Sequence, residues 1–355
     1  MAPTVTIKTI AQAVGVSPST VSNAYNKPGQ LSKELRERIL TVADDLGYAG
    51  PDAAARTLRS GRAGSIGVLF TDRLSYAFSD PFAVGFLAGV AEESEKFSTS
   101  LLLMPVSTPD DEPAAQAVRR AAIDGAIVFC VDRNHPALST LSNRKIPMSI
   151  TDRVDGPGAR WVAIDEQAAA GSVGAHLAKL GHRDIVVMVD TNRPAGGQAE
   201  FLAVDEVGCD NCEERIRGLM SQLRLGGLTA GLPGARIRIV SAGHNAFASG
   251  RAAAGLVLDT QDRPTAIVGL SDVLALGAID AIRTRGLTPG RDITVTGFDD
   301  VPAATAAGLT TVRQPIAEKG RLAARLLLDP DLTETQILLP TELIVRSSSG
   351  PAPRR

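Results

Sequence analysis

The chain is poor in cysteine. Three cysteines in 355 residues, an odd number, do not build a disulfide framework. Long apolar runs are missing as well: no segment approaches the roughly 18 uninterrupted apolar residues that mark a membrane span. The opening MAPTVTIKTI has no apolar stretch ahead of a small-residue cleavage site, so no secretory leader is expected and the chain is placed in the cytoplasm. An excess of one charge is absent too. Thirty-seven Lys and Arg against 39 Asp and Glu leave a net charge of −2, which excludes a uniform polycation. Signatures of catalysis and of metal binding are also absent. Cys209-Asp210-Asn211-Cys212 is a single C-x-x-C with no second pair to complete a zinc site. It reads as an ordinary loop, with a redox pair and a metal site as the alternatives. Gly269-Leu270-Ser271-Asp272-Val273 starts like a nucleophile elbow but ends in Val. No Walker loop and no G-x-G-x-x-G follow a strand, and the four histidines are scattered. His182, in LGHRD, reads as the close of a helix. No catalytic set, cofactor or metal is expected.

What is present is uneven. A chain this long is expected to form two or three domains. Residues 1–62 carry eight basic side chains against five acids, +3, which leaves −5 for the remainder. A modestly basic head on an acidic body suits a polyanion partner. Ile7, Ile10, Ala11 and Val14 fall on one helical face behind Thr6, a suitable N-cap, and Gly15 ends that helix. Ser17 caps a second helix with Pro18 at its first position; Val21, Ala24 and Tyr25 point inward. A third helix runs from near Ser32 to Leu46-Gly47, with Leu35, Ile39, Val42, Ala43 and Leu46 as its apolar face. This is the pattern of a helix-turn-helix; an ordinary three-helix bundle is the competing reading. The second helix shows Ser17, Ser19, Thr20, Ser22 and Asn23 outward. Hydroxyls and a helix N-terminus suit phosphate, and Asn suits a base edge.

TIKTIAQAVGVSPSTVSNAYN, followed by LSKELRERILTVADDLGY and PDAAARTLRSGR, resembles the head and hinge of the LacI/GalR family of bacterial transcription regulators. The resemblance implies a DNA-binding domain over 1–50 and a hinge helix with linker over 51–63. It carries base-facing roles onto Pro18, Ser19 and Asn23. It also implies a minor-groove wedge at Leu58, with Arg59 facing phosphate. The stretch 52–59 is too short for a stable isolated helix, in keeping with a hinge that orders only when docked.

Beyond residue 64, short apolar runs alternate with amphipathic stretches: SIGVLF (65–70), SLLLM (100–104), AIVFCV (126–131), IPMSI (146–150), WVAI (161–164), DIVVMV (184–189), RIRIVS (236–241), TAIVGL (265–270) and DITVTGF (292–298). The alternation predicts parallel sheets covered by helices. This body is similar to the ligand core of the same family, itself akin to periplasmic sugar-binding proteins. The fold expected is therefore a small all-α helix-turn-helix head plus an α/β periplasmic-binding-protein-like core of two Rossmann-like lobes. The core takes 64–350, with an N-lobe over about 64–163 and 315–337 and a C-lobe over about 164–314 and 338–350.

The resemblance assigns ligand contacts between the lobes to Phe82, Asp152, Arg215, Asn245, Ser271, Asp299 and Gln314. Arg215 and Asp299, expected to face each other across the cleft, suit vicinal hydroxyls, and hence a sugar or nucleoside effector. The chain departs from the family in two places. Asn245 stands where better-known relatives place a stacking aromatic. The loop FTDRLSYAFSDPF is longer than usual and adds Tyr76 and Phe78, which either supply aromatic surface to the cleft or pack within their own loop. The partners implied are double-stranded operator DNA with pseudo-palindromic half-sites, a small-molecule effector and a second copy of the chain, in a cytoplasmic, nucleoid-associated homodimer without membrane contact. SSSGPAPRR at the C-terminus carries no heptads, so no coiled-coil tetramer is expected. Whether the effector induces release or acts as corepressor stays open, as do its identity and the target genes. A solute-binding transport protein and an α/β hydrolase are the alternative functions.

Overall fold

The computed structural model describes residues 5–48, 50, 61–71, 73–106, 112–156, 158–190, 199–203, 206–207, 210–229 and 234–354. Leu58, Arg59 and Cys209 lie outside the described residues. The chain divides into two units, Met1–Gly64 and Ser65–Arg355.

The first unit is helical. Helix α1 (Ile7–Val14) begins in a reciprocal capping box between Thr6 and Thr9 and ends at Gly15, whose φ of +79° suits a residue without a Cβ. Helix α2 (Pro18–Asn26) starts under the Ser17 hydroxyl, which accepts from the Thr20 amide at 3.1 Å. Helix α3 (Lys33–Asp45) is capped by Ser32 in the same way. Ile10, Val14, Val21, Ala24, Ile39 and Ala43 form the core. Two arginines of α3 fasten the motif: Arg38 donates to the Val14 carbonyl at 2.9 Å and Arg36 to the Ala24 carbonyl at 3.3 Å. Both carbonyls belong to helix ends that would otherwise lack partners. Tyr25 is half-buried, edge-on to Tyr48. Leu46, expected inward, is instead exposed, because α3 stops at Asp45 and Tyr48 packs in its place. Ser17→Ala removes the α2 cap and is expected to cost the head about 1 kcal/mol. Faster amide exchange confined to α2 and its neighbours would register the loss; unchanged protection would refute the cap's contribution.

The second unit holds two sheets. The strands of the first are β1 (Ser65–Thr71), β2 (Ser100–Val106), β3 (Gly125–Phe129), β4 (Met148–Ile150), β5 (Trp161–Ile164) and β12 (Gln336–Leu339). Among the described residues they lie in the order β12-β5-β4-β3-β1-β2 and are parallel throughout. The second sheet comprises β6 (Asp184–Val189), β7 (Glu200–Leu202), β8 (Arg236–Ser241), β9 (Ala266–Gly269), β10 (Thr294–Asp299), β11 (Thr310–Arg313) and β13 (Glu342–Ile344). Its order is β13-β11-β10-β9-β6-β8-β7. The fully buried runs of β3 and β9 are what covering on both faces requires. Both sheets are parallel as expected, except that β7 and β13 run antiparallel at the two edges of the second. The chain passes between the sheets after β5, after β11 and after β12, which makes two Rossmann-like lobes.

Two helix pairs, one in each lobe, flank the region between the sheets. In the N-lobe, α5 (Pro81–Lys96) follows the short α4 (Tyr76–Ser79) and packs on α13 (Ile316–Leu328). In the C-lobe, α8 (Glu166–Lys179) packs on α9 (Asp210–Thr229). Gly218 permits the second contact: a Cβ there would stand 2.0 Å from the Gln167 carbonyl oxygen. Only glycine lets α9 come this near, and the approach brings Arg215 against the start of α8. The remaining helices are α6 (Glu112–Arg120), α7 (Pro136–Asn143), α10 (Phe247–Leu258), α11 (Asp272–Arg283) and α12 (Pro302–Ala307). His182 closes α8 through its amide, bonded to the Leu177 carbonyl. Its buried ring also bridges Thr265 and the Gly350 carbonyl, and burial lowers its pKa. No helix among the described residues is long and apolar enough to cross a membrane.

Candidate functional site

Two surfaces collect the residues singled out by sequence. The first is the start of α2. Thr6 caps α1, Ser17 caps α2 and Pro18 occupies its first position. Ser17 is bonded to the hydroxyls of Ser19, at 2.6 Å, and Thr20, at 2.8 Å. Ser22 accepts from Asn26. Asn23 is half-buried and donates its amide to Gln30 Oε1 at 3.3 Å, a partner the sequence reading missed. The exposed N-terminal turn of α2 thus offers hydroxyls beside the Ser19 N–H, since Pro18 has none and the Thr20 and Val21 amides bond to Ser17, a combination that suits a phosphate oxygen.

The second surface lies between the lobes. Asp152 follows β4, Asn245 follows β8, Ser271 follows β9, Asp299 ends β10 and Gln314 follows β11, so all stand at carboxyl ends of strands, where open α/β sheets bind ligands. Arg215 projects from α9 into the same region. Its Nε donates to Glu166 Oε2 at 2.6 Å, its Nη1 donates to the Leu270 carbonyl at 2.7 Å, and the guanidinium lies over the Phe298 ring, 3.8 Å from the centroid. Burial is the largest single influence and works against its charge, but the Glu166 carboxylate and Asp299 together outweigh it and raise its pKa. Asp299 is 5% exposed; burial, then the neighbouring Asp272, push its carboxyl well above the ordinary range, and Arg215 opposes them. Gln314 Nε2 donates to Asp299 Oδ1 at 2.7 Å, while Gln314 Oε1 is buried with no partner among the described residues.

The backbone at this point is strained. Asp299 has φ +121° and Asp300 φ +57°, conformations that favour glycine and cost on the order of 1–3 kcal/mol each. Asp272 holds the turn, accepting from the Val301 amide at 2.8 Å and from the Thr311 hydroxyl at 2.6 Å; burial pushes its carboxyl up to about 7. Asp300 is held by ion pairs to Arg313 and Arg346, both at 2.7 Å.

One expectation is overturned. Arg215 and Asp299 do not face each other across the cleft. Both belong to the C-lobe, since α9 packs on α8 and β10 sits inside the second sheet. The contacts that cross between lobes are others. Asn211, on α9, donates to Asp152 Oδ1 at 2.7 Å. Asn245 donates to Tyr76 Oη at 3.3 Å and to Asp80 Oδ1 at 3.2 Å, and it accepts from the Ser271 hydroxyl. Asn245 therefore fills the aromatic's position as a polar bridge. Tyr76 stands opposite it and is half-buried, with its hydroxyl pKa raised chiefly by desolvation; Phe78 is 67% exposed. The longer loop thus sends one ring inward and one to solvent. Phe82 stacks on Phe129 at 5.7 Å, and Phe129 stacks on Phe86 at 4.6 Å. Glu166, Asp80 and Asn211 escaped the sequence reading. Asp80 caps α5, accepting from the Ala83 amide, and reads locally as nothing more. Cys212 is buried and Cys130 exposed, and among the described residues neither is in a disulfide.

Residues 6–50 match the model of bacterial regulatory proteins of the lacI family, and residues 175–349 match the periplasmic binding protein-like domain. An HTH-type transcriptional regulator of Mycolicibacterium smegmatis is 38% identical over 98% of this chain and 96% of its own length. Among solved structures, the transcriptional regulator CelR in complex with cellobiose superposes with a TM-score of 0.67 at 25% identity, covering 97% of this chain and 100% of that one. The lac repressor dimer bound to operator and the anti-inducer ONPF has the same fold, with a TM-score of 0.77 at 22% identity over 98% of this chain and 99% of that one. The capped α2, the two lobes and the full-length relative make this chain a member of the lacI family of bacterial regulatory proteins, a DNA-binding transcriptional regulator.

Proposed function

We propose that the protein is a repressor whose affinity for operator DNA is set by a small polyhydroxylated metabolite, a sugar or nucleoside, held between the two core lobes. The observation that carries this reading is the unpartnered Gln314 Oε1 beside Asp299. A buried acceptor without a partner calls for a donor that the chain does not supply. One ligand hydroxyl supplies it, and a vicinal hydroxyl can donate to Asp299. The cellobiose held by CelR is a ligand of that chemistry. The regulator acts as a homodimer on a pseudo-palindrome, with the hinge of residues 51–63 joining head to core, Leu58 wedging into the minor groove and Arg59 on phosphate. Ligand and DNA then share one coupling free energy through the relative position of the lobes. A thermal-shift screen of sugars and nucleosides, followed by gel shifts on DNA upstream of the protein's own gene with and without the hit, tests this. A hit that changes operator affinity supports the reading; hits that leave operator affinity unchanged refute the coupling.

In the head, Thr6, Ser17, Thr20 and Ser22 position α2 on phosphate, and Pro18 and Ser19 face bases without strong hydrogen-bond discrimination. Asn23 exchanges its Gln30 contact for a base edge and favours adenine at one position in each half-site. Asn23→Arg is expected to shift that position toward guanine, with about 1–3 kcal/mol of discrimination at stake. Selection from a randomised half-site library with both proteins checks it. Identical preferences at every position would leave phosphate contacts and DNA shape as the determinants.

A further inference from the structure

Lys319 lies in the first turns of α13, five residues beyond Gln314, and is 4% exposed. Among the described residues its ammonium makes no hydrogen bond and no ion pair within 4.0 Å. The stem is buried but the ammonium itself still reaches solvent, so water or a ligand group completes it. Its charged neighbour is Asp152. Burial pushes the Asp152 carboxyl up, and Lys319 is the first of the groups that pull it back down. The two are therefore close enough to feel each other and too far apart for an ion pair. Asp152 has its own donor in Asn211, which occupies Oδ1. Two hydrogen bonds of about 2.8 Å meeting at one oxygen join groups about 4.5–5.5 Å apart, beyond the 4.0 Å ion-pair limit that this pair exceeds.

We propose that Lys319 is an effector-binding residue: its ammonium and the Asp152 carboxylate bracket one ligand hydroxyl. The ammonium donates to the hydroxyl oxygen and the hydroxyl donates to the carboxylate. The junction of β11 and α13 then carries an unfilled donor, Lys319 Nζ, and an unfilled acceptor, Gln314 Oε1, on one short stretch of chain. A neutral hydroxyl suits the place better than a phosphate, which would meet the carboxylates of Asp152, Glu166 and Asp299. The proposal rests on the reading of the interlobe cleft as the effector site.

Lys319→Met keeps the length and volume of the stem and removes the charge. Two results are expected. The thermal midpoint of the free protein does not fall, because no partner among the described residues loses a bond. Affinity for a bound polyol falls tenfold or more, read by calorimetry with ribose, glucose, cellobiose and myo-inositol as probes. Among the monodeoxy forms of the probe that binds, one lacks the bracketed hydroxyl and binds parent and variant equally. A lowered midpoint marks Lys319 as a structural cation and overturns the proposal. So does a probe that binds parent and variant with the same affinity. If none of the four binds the parent, and adenosine and uridine do not bind it either, the polyol reading of the cleft fails, and this proposal fails with it.

Discussion

Arg215→Ala is expected to destabilise the ligand-binding core by about 3–5 kcal/mol and to abolish the effector response. Among the described residues the guanidinium is the one hydrogen-bond partner of a Glu166 side chain that is 6% exposed, and it also satisfies the Leu270 carbonyl. Removing it leaves a carboxylate and a carbonyl inside the protein without their donor, and takes from Asp299 the positive charge that opposes its protonation. Lysine is a poor substitute, because one ammonium cannot hold Glu166 and the carbonyl in the fixed directions of a guanidinium while lying flat on Phe298. The cost belongs to breaking the pair more than to the pair itself. Adding Glu166→Gln to Arg215→Ala should therefore recover a large part of the stability without recovering effector binding. Urea unfolding of the three proteins checks this. If Arg215→Ala unfolds with the parent's midpoint, Glu166 is not held by Arg215 and the site is built otherwise.

The contrast between Arg215 and Glu166 shows how far the site was legible in sequence. Arg215 was reachable because it sits three residues before Gly218, inside a stretch that resembles the family, and the close helix contact makes that spacing matter. Glu166 sits in the first turn of a helix behind its cap Asp165, where an acid is ordinary for reasons of the helix dipole alone. Nothing local tells a dipole partner from half of a buried ion pair. The fold follows the same division. Strands such as β1, β3 and β6 announce themselves as unbroken apolar runs because both of their faces are covered. β7, β12 and β13 are three or four residues long, lie at sheet edges and alternate or expose their side chains, so they carry no such run. Tyr76 and Phe78 are two positions apart in one loop with opposite fates, decided by Asn245, 169 residues from Tyr76 in sequence. That Asn245 is not an aromatic was visible at once; that it ties the lobes together depends on a contact no local pattern encodes.

The second large effect concerns pH and Asp80. Burial pushes its carboxyl from an ordinary 3.8 to about 6; Tyr76 and the Ala83 amide hydrogen-bond it, and Asp190 repels its charge. The group is 3% exposed and is joined to the C-lobe through Asn245. A carboxyl raised on folding binds its proton more tightly in the folded core than in the unfolded chain. Its stabilising contribution is therefore fully present below pH 3.8 and is lost as pH rises through about 6. At about 1.4 kcal/mol per pKa unit, the loss amounts to about 3 kcal/mol by pH 7.5. Asp272, raised to about 7, adds in the same direction, so over pH 5–8 this core is expected to become less stable as pH rises. Asp80→Asn separates the two contributions. The amide oxygen still accepts from Ala83 and carries no charge, so the variant should exceed the parent in stability at pH 7.5 and match it near pH 4. Thermal midpoints of both proteins across that range are the measurement. Parallel curves would mean that Asp80 ionises as it would in water, which requires the Tyr76–Asp80–Asn245 contact to be open and wet in the free protein.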